Sequence, residues 1–302
     1  MHTRFLIFTD LHVDIMHDAV ARMQLICAAA QQEKVDFLLH LGDIMYPDVD
    51  FLQVHAAQSI QKRQQAWFIN ERDDEKHAIL QMLHDTGLPL YGVLGNHDMD
   101  ACDKATACKY WNMPAPYYAF VQGGVRFFVL DGNYIQTNDG LIDFEHCNYS
   151  QFKRSQTSFL PKEQLQWLKK STLTSKEPCV FLSHAPLGDE LLNIHNMQEV
   201  WAIIDEANAE KRKVLLAING HNHMDGLSVR HGVPFVSINS AANLWLGHEY
   251  SAVRYSETIC RMYPHLSSCA PYFDPLYAII TIDERGIHMQ GTQSRFVGKS
   301  PQ

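Results

Sequence analysis

Eight short apolar runs recur along this chain of 302 residues, and they constrain its fold more than any other feature of the sequence. Each run has at most seven residues and is rich in Val, Ile, Leu and Phe, which is typical of buried β-strands. Helical patterns lie between several of them, at residues 17–33, 161–173 and 196–210. This alternation predicts the α/β class. The runs are FLIFT (5–9), VDFLLHL (35–41), LYGVL (90–94), VRFFVL (125–130), CVFLSH (179–184), KVLLAI (213–218), PFVSI (234–238) and YAIITI (277–282).

Three longer segments interrupt the alternation. Residues 46–86 are polar and mostly helical in pattern, whereas residues 131–160 and 243–275 are irregular and contain many aromatic residues, Asn and Ser. Loops of this length in a compact domain are often functional. We therefore expect a single domain over residues 1–302, in which these three insertions form a cap or rim around a site.

The charge balance limits the possible partners. The net charge is −9, whereas a surface that binds a long nucleic acid is usually basic. A small anionic substrate remains compatible with this charge, because bound metal ions dominate the field inside a pocket. No apolar run reaches the ~20 residues of a membrane span, so no membrane partner is expected. The sequence leaves the oligomeric state open.

The cysteines and the N-terminal residues indicate the cellular compartment in which the protein is expected. The seven cysteines include no C-x-x-C pair, and their number is odd. The strand-like RFLIFTD begins at residue 4, which leaves no room for the apolar segment of a secretion signal. We expect mostly free thiols in a soluble, cytoplasmic protein. The pairs Cys102/Cys108 and Cys260/Cys269 could still close small loops.

Potential metal ligands follow five of the apolar runs. Because the carboxyl ends of parallel strands meet at one edge of a sheet, these side chains are expected to converge there. Asp10 and His12 should point the same way along extended chain, as should His221 and His223. Carboxylate, imidazole and amide donors suit Mn, Fe or Zn, and the absence of cysteine argues against a structural zinc site. The segments are FLIFTDLH (5–12), FLLHLGD (37–43), LYGVLGNHD (90–98), CVFLSH (179–184) and LLAINGHNH (215–223).

Taken in order, D-x-H, G-D, G-N-H-D, H and G-H-x-H resemble the motifs of the calcineurin-like metallophosphoesterase superfamily. They run from Asp10 to His223, which is about three quarters of the chain. A lone H-x-H arises by chance about once in a chain this rich in histidine, but the full ordered set is specific. The resemblance implies a four-layer α/β/β/α sandwich, in which helices flank two mixed sheets.

The resemblance also implies two metal sites, filled by two Mn, Fe or Zn ions. One ion would be held by Asp10, His12, Asp43 and His223, and the second by Asp43, Asn96, His184 and His221, with Asp43 as the bridge. In the superfamily, a hydroxide shared by the two ions attacks phosphorus in line with the leaving group. By the same resemblance, His97 would stabilise the transition state or protonate the leaving group, and Asp98 would orient a neighbouring histidine or loop.

Departures from individual subfamilies narrow the expected activity. The segment GDIMYPD lacks the substrate-binding arginine that the protein serine/threonine phosphatases carry in this motif, so an activity of that subfamily is not expected. Tyr46 has the spacing of the tyrosine ligand in purple acid phosphatases, but His12 occupies a position that is glycine there. The motifs are most similar to the class III cyclic-nucleotide phosphodiesterases. We therefore expect a phosphohydrolase of small organic phosphates, with diesters or pyrophosphates favoured. A phosphomonoesterase, a nuclease and a non-catalytic metal-binding scaffold remain as alternatives.

Substrate contacts are expected from the inserted segments and from residues beside the motifs. Their aromatic members could stack on a flat group of the substrate, although packing at the rim is an equally good explanation. His40, in contrast, is expected to pack in the core. The candidates for substrate binding are Tyr46, Asn133, Tyr134, His195, Asn243 and Trp245.

Overall fold

Two mixed β-sheets lie face to face at the centre of the computed structural model, which describes residues 1–57, 59 and 72–301. Part of the predicted insertion 46–86, namely residues 58 and 60–71, lies outside the described residues. The strands are β1 (Thr3–Phe8), β2 (Phe37–His40), β3 (Leu90–Gly92), β4 (Tyr118–Gln122), β5 (Val125–Val129), β6 (Tyr134–Thr137), β7 (Gly140–Asp143), β8 (Cys179–Leu182), β9 (Val214–Asn219), β10 (Gly226–Arg230), β11 (Val233–Ser237), β12 (Asn243–Trp245), β13 (Cys269–Pro271), β14 (Ala278–Asp283) and β15 (Gly286–Gly291).

The first sheet has the order β15-β14-β1-β2-β3, and the second has the order β10-β11-β9-β8-β5-β4. Strands β1, β2 and β3 are parallel, as are β5, β8, β9 and β11. Each of the eight apolar runs of the sequence forms a strand, because its side chains are buried on both faces of a sheet. The predicted α/β class is confirmed.

Helices cover the outer face of each sheet. The predicted helices at 17–33, 161–173 and 196–210 are confirmed as Ala19–Gln32, Lys162–Thr174 and Met197–Asn208. The helices are α1 (Ala19–Gln32), α2 (Val49–His55), α3 (Asp73–Asp85), α4 (Lys104–Tyr110), α5 (Lys162–Thr174), α6 (Met197–Asn208) and α7 (Glu257–Met262).

Three apolar clusters separate the four layers. Alternate residues of β1 divide between two of them: Phe5 and Ile7 face the second sheet, whereas Leu6 and Phe8 face the cluster that contains α1 and α3. The third cluster packs α5 and α6 on the outer face of the second sheet. This alternation follows from the two-residue period of a strand, and it confirms the α/β/β/α sandwich.

The three insertions take different places. In the segment 46–86, α3 packs on α1 with Ile79 and Leu83 buried, so this part belongs to the helical layer. The segment 131–160 contains the hairpin β6–β7 and lines a cavity described below. The segment 243–275 contains the ribbon β12–β13 and the helix α7.

Two further expectations concern cysteines and membranes. All seven cysteines are free thiols in the structure. Among the helices of the described part of the chain, none is both long and apolar enough to cross a bilayer.

His40 is fully buried and packs against Trp111, with ring centroids 4.3 Å apart, as the sequence predicts.

Candidate metal centre

The residues after β1, β2, β8 and β9 meet at one place between the two sheets and form two adjacent groups of possible metal ligands. The first sheet supplies Asp10, His12 and Asp43 to these groups. The second sheet supplies the three histidines His184, His221 and His223. The structure thus brings together candidate ligands from four of the five strand ends that the sequence singles out.

The first group consists of Asp10, His12 and His223, all of them buried. The Nε2 atom of His223 lies 3.2 Å from Oδ1 of Asp10 and 3.1 Å from Nε2 of His12. Nε2 of His12 lies 3.7 Å from the same carboxylate oxygen. Three ligand atoms thus face one small volume, which is the arrangement that a transition metal requires.

The second group consists of Asp43, His184 and His221. Nε2 of His184 lies 3.1 Å from Oδ2 of Asp43 and 3.0 Å from Nδ1 of His221. The division into these two groups matches the division of ligands that the family resemblance implies.

Backbone carbonyls hold two of the histidine rings in a defined tautomer. Nδ1 of His184 donates to the carbonyl of Leu41 at 2.7 Å, and Nδ1 of His223 donates to the carbonyl of Asn243 at 2.8 Å. Because a carbonyl only accepts, Nδ1 carries the hydrogen and Nε2 keeps its lone pair in the neutral ring. Outer contacts of this kind typically orient metal-binding histidines.

Two buried oxygen atoms support the presence of cations. Oδ1 of Asn96 is buried and has no hydrogen-bond partner among the described residues, and Oδ1 of Asp10 is buried and faces the Nε2 atoms of His12 and His223. A buried acceptor without a partner is costly, and a metal ion at this place would satisfy both atoms. The donor set of carboxylate, imidazole and amide oxygen therefore fits two transition-metal ions.

The sequence predicts that the candidate ligands converge through the alternation of side chains along extended strands. The structure shows that this prediction is wrong, because the ligands lie beyond the strand ends. Strand β1 ends at Phe8 and β9 ends at Asn219, before the ligands begin. The left-handed conformation costs about 1–2 kcal/mol for each such residue, and tertiary contacts must maintain it. The ligands in this conformation are Asp10 (φ 54°), His12 (φ 50°), Asp43 (φ 54°), His221 (φ 71°) and His223 (φ 53°).

Two glycines allow backbone segments to approach the ligands closely. A Cβ atom on Gly95 would lie 2.1 Å from Oδ1 of Asp43, and one on Gly220 would lie 2.8 Å from Oδ2 of Asp10. These distances are too short for any side chain. The glycines of the G-N-H-D and G-H-x-H motifs are thus required by the packing of the ligand loops.

Acidic and basic groups compensate each other in this buried centre. Burial raises the pKa of Asp10, but His223 and His12 outweigh it and hold the pKa well below its usual range. Burial lowers the pKa of His184, but Asp43 and Asp10 raise it to about 9. For His221, burial and the neighbouring His184 together lower the pKa to about 3.

His97 is oriented by two residues that the sequence analysis did not identify. Its Nδ1 lies 2.8 Å from Oδ2 of Asp100 and 3.1 Å from the hydroxyl of Tyr149, which donates to Asp100 at 2.7 Å. Burial lowers the pKa of His97, but Asp100 and Asp43 outweigh it and raise the pKa to about 10. Asp100 follows His97 by three residues, a spacing that is visible in the sequence, whereas nothing in the sequence points to Tyr149.

Asp98 holds two of the loops that carry candidate ligands. Its carboxylate accepts the backbone N–H groups of Asp43 and Gly95, at 3.2 and 2.8 Å, and that of Ile44 at 3.2 Å. It therefore ties two ligand loops together, as one alternative predicted, while Asp100 orients the neighbouring histidine. Burial and the charge of Asp43 raise the pKa of Asp98 to about 8. Asp98 is a positioning residue and not a catalytic one.

A cavity of about 480 Å³ opens beside the second group of ligands, and Asn96, His184 and His221 form part of its wall. Of the predicted substrate contacts, Asn133 and His195 also line this cavity. A cavity of this size accommodates a small organic ligand.

The other four predicted contacts lie elsewhere. Tyr46 is buried in the core with the ammonium group of Lys76 3.6 Å from its ring centre, so its predicted role in the pocket is wrong. Tyr134 packs its ring against Lys104, and Trp245 lines a different surface cavity. Asn243 is fully buried and contacts the centre through its carbonyl, which holds His223.

Comparison with known proteins agrees with this geometry. The family model of the calcineurin-like phosphoesterases matches residues 3–225. The chain therefore belongs to this family, and it is a metallophosphoesterase, a hydrolase of phosphoric esters. Among curated proteins, no sequence matches the chain.

Several solved structures share the fold. A dimetal phosphatase from Danio rerio is 14% identical, with a TM-score of 0.63 over 99% of each chain. The anchor in the inner membrane complex of Plasmodium is 11% identical, with a TM-score of 0.55 over 100% of this chain and 90% of that one. A protein of Thermus thermophilus is 13% identical, with a TM-score of 0.50 over 96% of this chain and 99% of that one.

Proposed function

We propose that this protein is a binuclear metal-dependent phosphohydrolase that cleaves a small organic phosphate, with a phosphodiester or pyrophosphate preferred over a monoester. The observation that carries the proposal is the pair of adjacent ligand groups, Asp10/His12/His223 and Asp43/His184/His221, beside a cavity of about 480 Å³.

The residues of the centre take distinct roles in this proposal. The first group would hold one ion, and the second group would hold the other together with the amide oxygen of Asn96. Asp43 is the residue that would contact both ions. When bound, two such ions acidify water and neutralise the charge on the phosphoryl oxygens. Mn, Fe or Zn would suit these donors.

His97 acts on the substrate in this proposal. Burial lowers the pKa of the ring, but the neighbouring carboxylate of Asp100 raises it, which favours the protonated form. It stabilises negative charge on the phosphoryl group or donates a proton to the leaving oxygen. The carboxylate of Asp100 keeps the ring oriented for either task.

The size of the cavity favours a substrate that carries a further group on the scissile phosphate, as a diester or a pyrophosphate does. Its wall continues from the ligands to Phe144, Phe152 and His195, well beyond the space of a single phosphate. A flat or apolar group of a diester or pyrophosphate would find contacts there.

A non-catalytic scaffold on the same fold is the second candidate. The Plasmodium neighbour, described as an anchor, motivates this alternative. The described centre, however, includes every ligand that the family motifs imply, together with His97, and this complete set favours the hydrolase.

The test is hydrolysis of bis-p-nitrophenyl phosphate and p-nitrophenyl phosphate in the presence of Mn²⁺. We expect activity on both, a higher kcat/KM for the diester, and loss of at least about a thousandfold in Asp43→Asn. The exposed Asp274→Asn is the matched control. Metal bound in stoichiometric amount without turnover of either ester would refute a phosphohydrolase of broad specificity and leave an enzyme of narrow specificity or the scaffold.

A further inference from the structure

Arg154 provides a positive charge in the wall of the cavity that contains Asn96, His184 and His221. It belongs to a short 3₁₀ turn, Arg154–Gln156, in the segment that follows the hairpin β6–β7. None of the residues that line this cavity is an aspartate or glutamate, within the described chain, although the net charge of the protein is −9. The wall of the cavity is therefore selectively free of negative side chains.

The backbone of Arg154 is anchored. Its carbonyl accepts a hydrogen bond from Nε2 of His195 at 3.0 Å and another from the hydroxyl of Thr157 at 3.0 Å. The ring of His195 is in turn stacked on Phe159, with centroids 5.0 Å apart. These contacts hold the start of the side chain at a defined place in the cavity wall.

The guanidinium of Arg154 has no hydrogen bond or ion pair with any residue in the described ranges 1–57, 59 and 72–301. Arg4 and Arg126, by comparison, pair with Glu33 and Glu177. Arg154 is an exposed residue, and desolvation of the covered part of its side chain lowers its pKa, but an arginine remains charged at neutral pH. An anion in the cavity would compensate this charge.

We propose that Arg154 binds a second phosphate group of the substrate, so that the preferred substrate is an organic phosphate with a further phosphate away from the scissile bond. A guanidinium binds phosphate through two parallel hydrogen bonds, which gives both affinity and direction. Phe144, Tyr149 and Phe152 lie in the same wall and provide apolar contacts for the group that joins the two phosphates. This inference rests on the proposed function, since it assumes that the scissile phosphate lies beside the metal ligands.

A pair of nucleotides that differ in one phosphate tests the inference at the level of binding. Calorimetry with Mn²⁺-loaded protein compares thymidine 3′,5′-bisphosphate with thymidine 5′-monophosphate. We expect the wild type to prefer the bisphosphate, and Arg154→Met to reduce this preference about 10- to 100-fold. Arg154→Lys should retain part of it, because it keeps the charge but loses the paired geometry.

The control is Arg261→Met, which removes an exposed arginine of α7 that does not line the cavity. It should leave the preference unchanged, and circular dichroism should show that all variants are folded. An equal preference in wild type and Arg154→Met would overturn the inference, as would a wild type that does not distinguish the two nucleotides.

Hydrolysis separates this inference from the proposed function. The p-nitrophenyl 5′-esters of thymidine 5′-phosphate, with and without a 3′-phosphate, are chromogenic diesters that differ in the same group. If the wild type binds the bisphosphate through Arg154 but hydrolyses neither ester, the proposed function fails and the binding site stands. If both esters are hydrolysed with the same ratio in Arg154→Met as in the wild type, the phosphohydrolase stands and the role of Arg154 is refuted.

Discussion

The Nε2 atoms of His12 and His223 lie 3.1 Å apart, although 211 residues separate them in the chain. Oδ1 of Asp10 lies 3.2 Å from the same atom of His223. In the protein without metal, protons compensate this carboxylate: burial lowers the pKa of His223, but Asp10 outweighs it and raises the pKa. A metal ion that binds here must replace those protons.

Metal binding should therefore release protons and become tighter as the pH rises. Burial lowers the pKa of His184, but Asp43 and Asp10 raise it to about 9, so the ring is protonated at pH 7 and must lose its proton to become a ligand. Affinity for Mn²⁺ should increase from pH 6 to about pH 9 and then level off. Calorimetry in two buffers of different ionisation enthalpy measures the protons released. A pH-independent affinity without proton release would contradict this assignment.

Substitution of His97 should impair chemistry and leave the metals in place. We expect His97→Gln to lower kcat by about 10²–10⁴-fold, because a group that acts on the transition state is removed. His97 belongs to neither ligand group, so metal content by mass spectrometry should equal that of the wild type. If His97 protonates the leaving group, the loss should be larger for esters with poor leaving groups. Loss of one metal equivalent would instead make His97 a ligand.

Removal of the charge of Asp100 should change the pH dependence of the reaction. Asp100 helps to raise the pKa of His97 to about 10 against the effect of burial. In Asp100→Asn that pKa should fall, so the limb on which activity declines with rising pH should move to lower pH. Tyr149→Phe removes a hydrogen bond but no charge, and should lower kcat with little movement of the limb. Profiles of kcat against pH decide between positioning and a purely structural role for Asp100.

Gly95→Ala should disrupt the second ligand group. The added Cβ would lie 2.1 Å from Oδ1 of Asp43 and 2.4 Å from its backbone nitrogen, so the loop has to move. We expect a loss of about 1–3 kcal/mol in the free energy of unfolding and at least one fewer metal ion per chain. Gly291→Ala is the control, because a Cβ there meets no atom within 4 Å. A fully loaded Gly95→Ala protein would show that the loop geometry is not required.

Asp98→Ala should destabilise the protein. The substitution leaves the backbone N–H groups of Asp43, Ile44 and Gly95 without their acceptor. Because all three lie in the buried ligand loops, we expect a loss of about 3–5 kcal/mol, measured by urea unfolding of the metal-free protein. The exposed Asp274→Ala should change stability by less than about 0.5 kcal/mol. Equal stability of the two variants would mean that the loops are held by other contacts.

Much of the fold follows from local pattern. The eight apolar runs predict eight strands because a strand buried on both faces needs nearly continuous apolar sequence. The ordered motifs predict which residues form the two candidate ligand groups, since each follows a strand that ends at the same side of the sandwich. The helices α1, α5 and α6 are equally visible in the spacing of their apolar residues.

Other features depend on contacts between distant segments. Tyr46 has the spacing of a metal ligand, but the position of Lys76 and the packing of its own loop place it in the core. Tyr149 reaches His97 only because the insertion 131–160 folds back over the site. Trp245 lies at the end of β12, in a segment that follows a strand as the candidate ligands do, yet the ribbon β12–β13 places it in the wall of another cavity.

The sequence by itself determined the fold class and the set of candidate ligands, because strand burial and motif spacing are local properties, and the resemblance of its motifs implied the four layers. The tertiary structure alone decided how those ligands converge. The left-handed conformations of Asp10 and His223 are unfavourable for each residue in isolation. They persist because hydrogen bonds from distant parts of the chain hold the loops, such as that from the N–H of His221 to Asp10 at 3.0 Å.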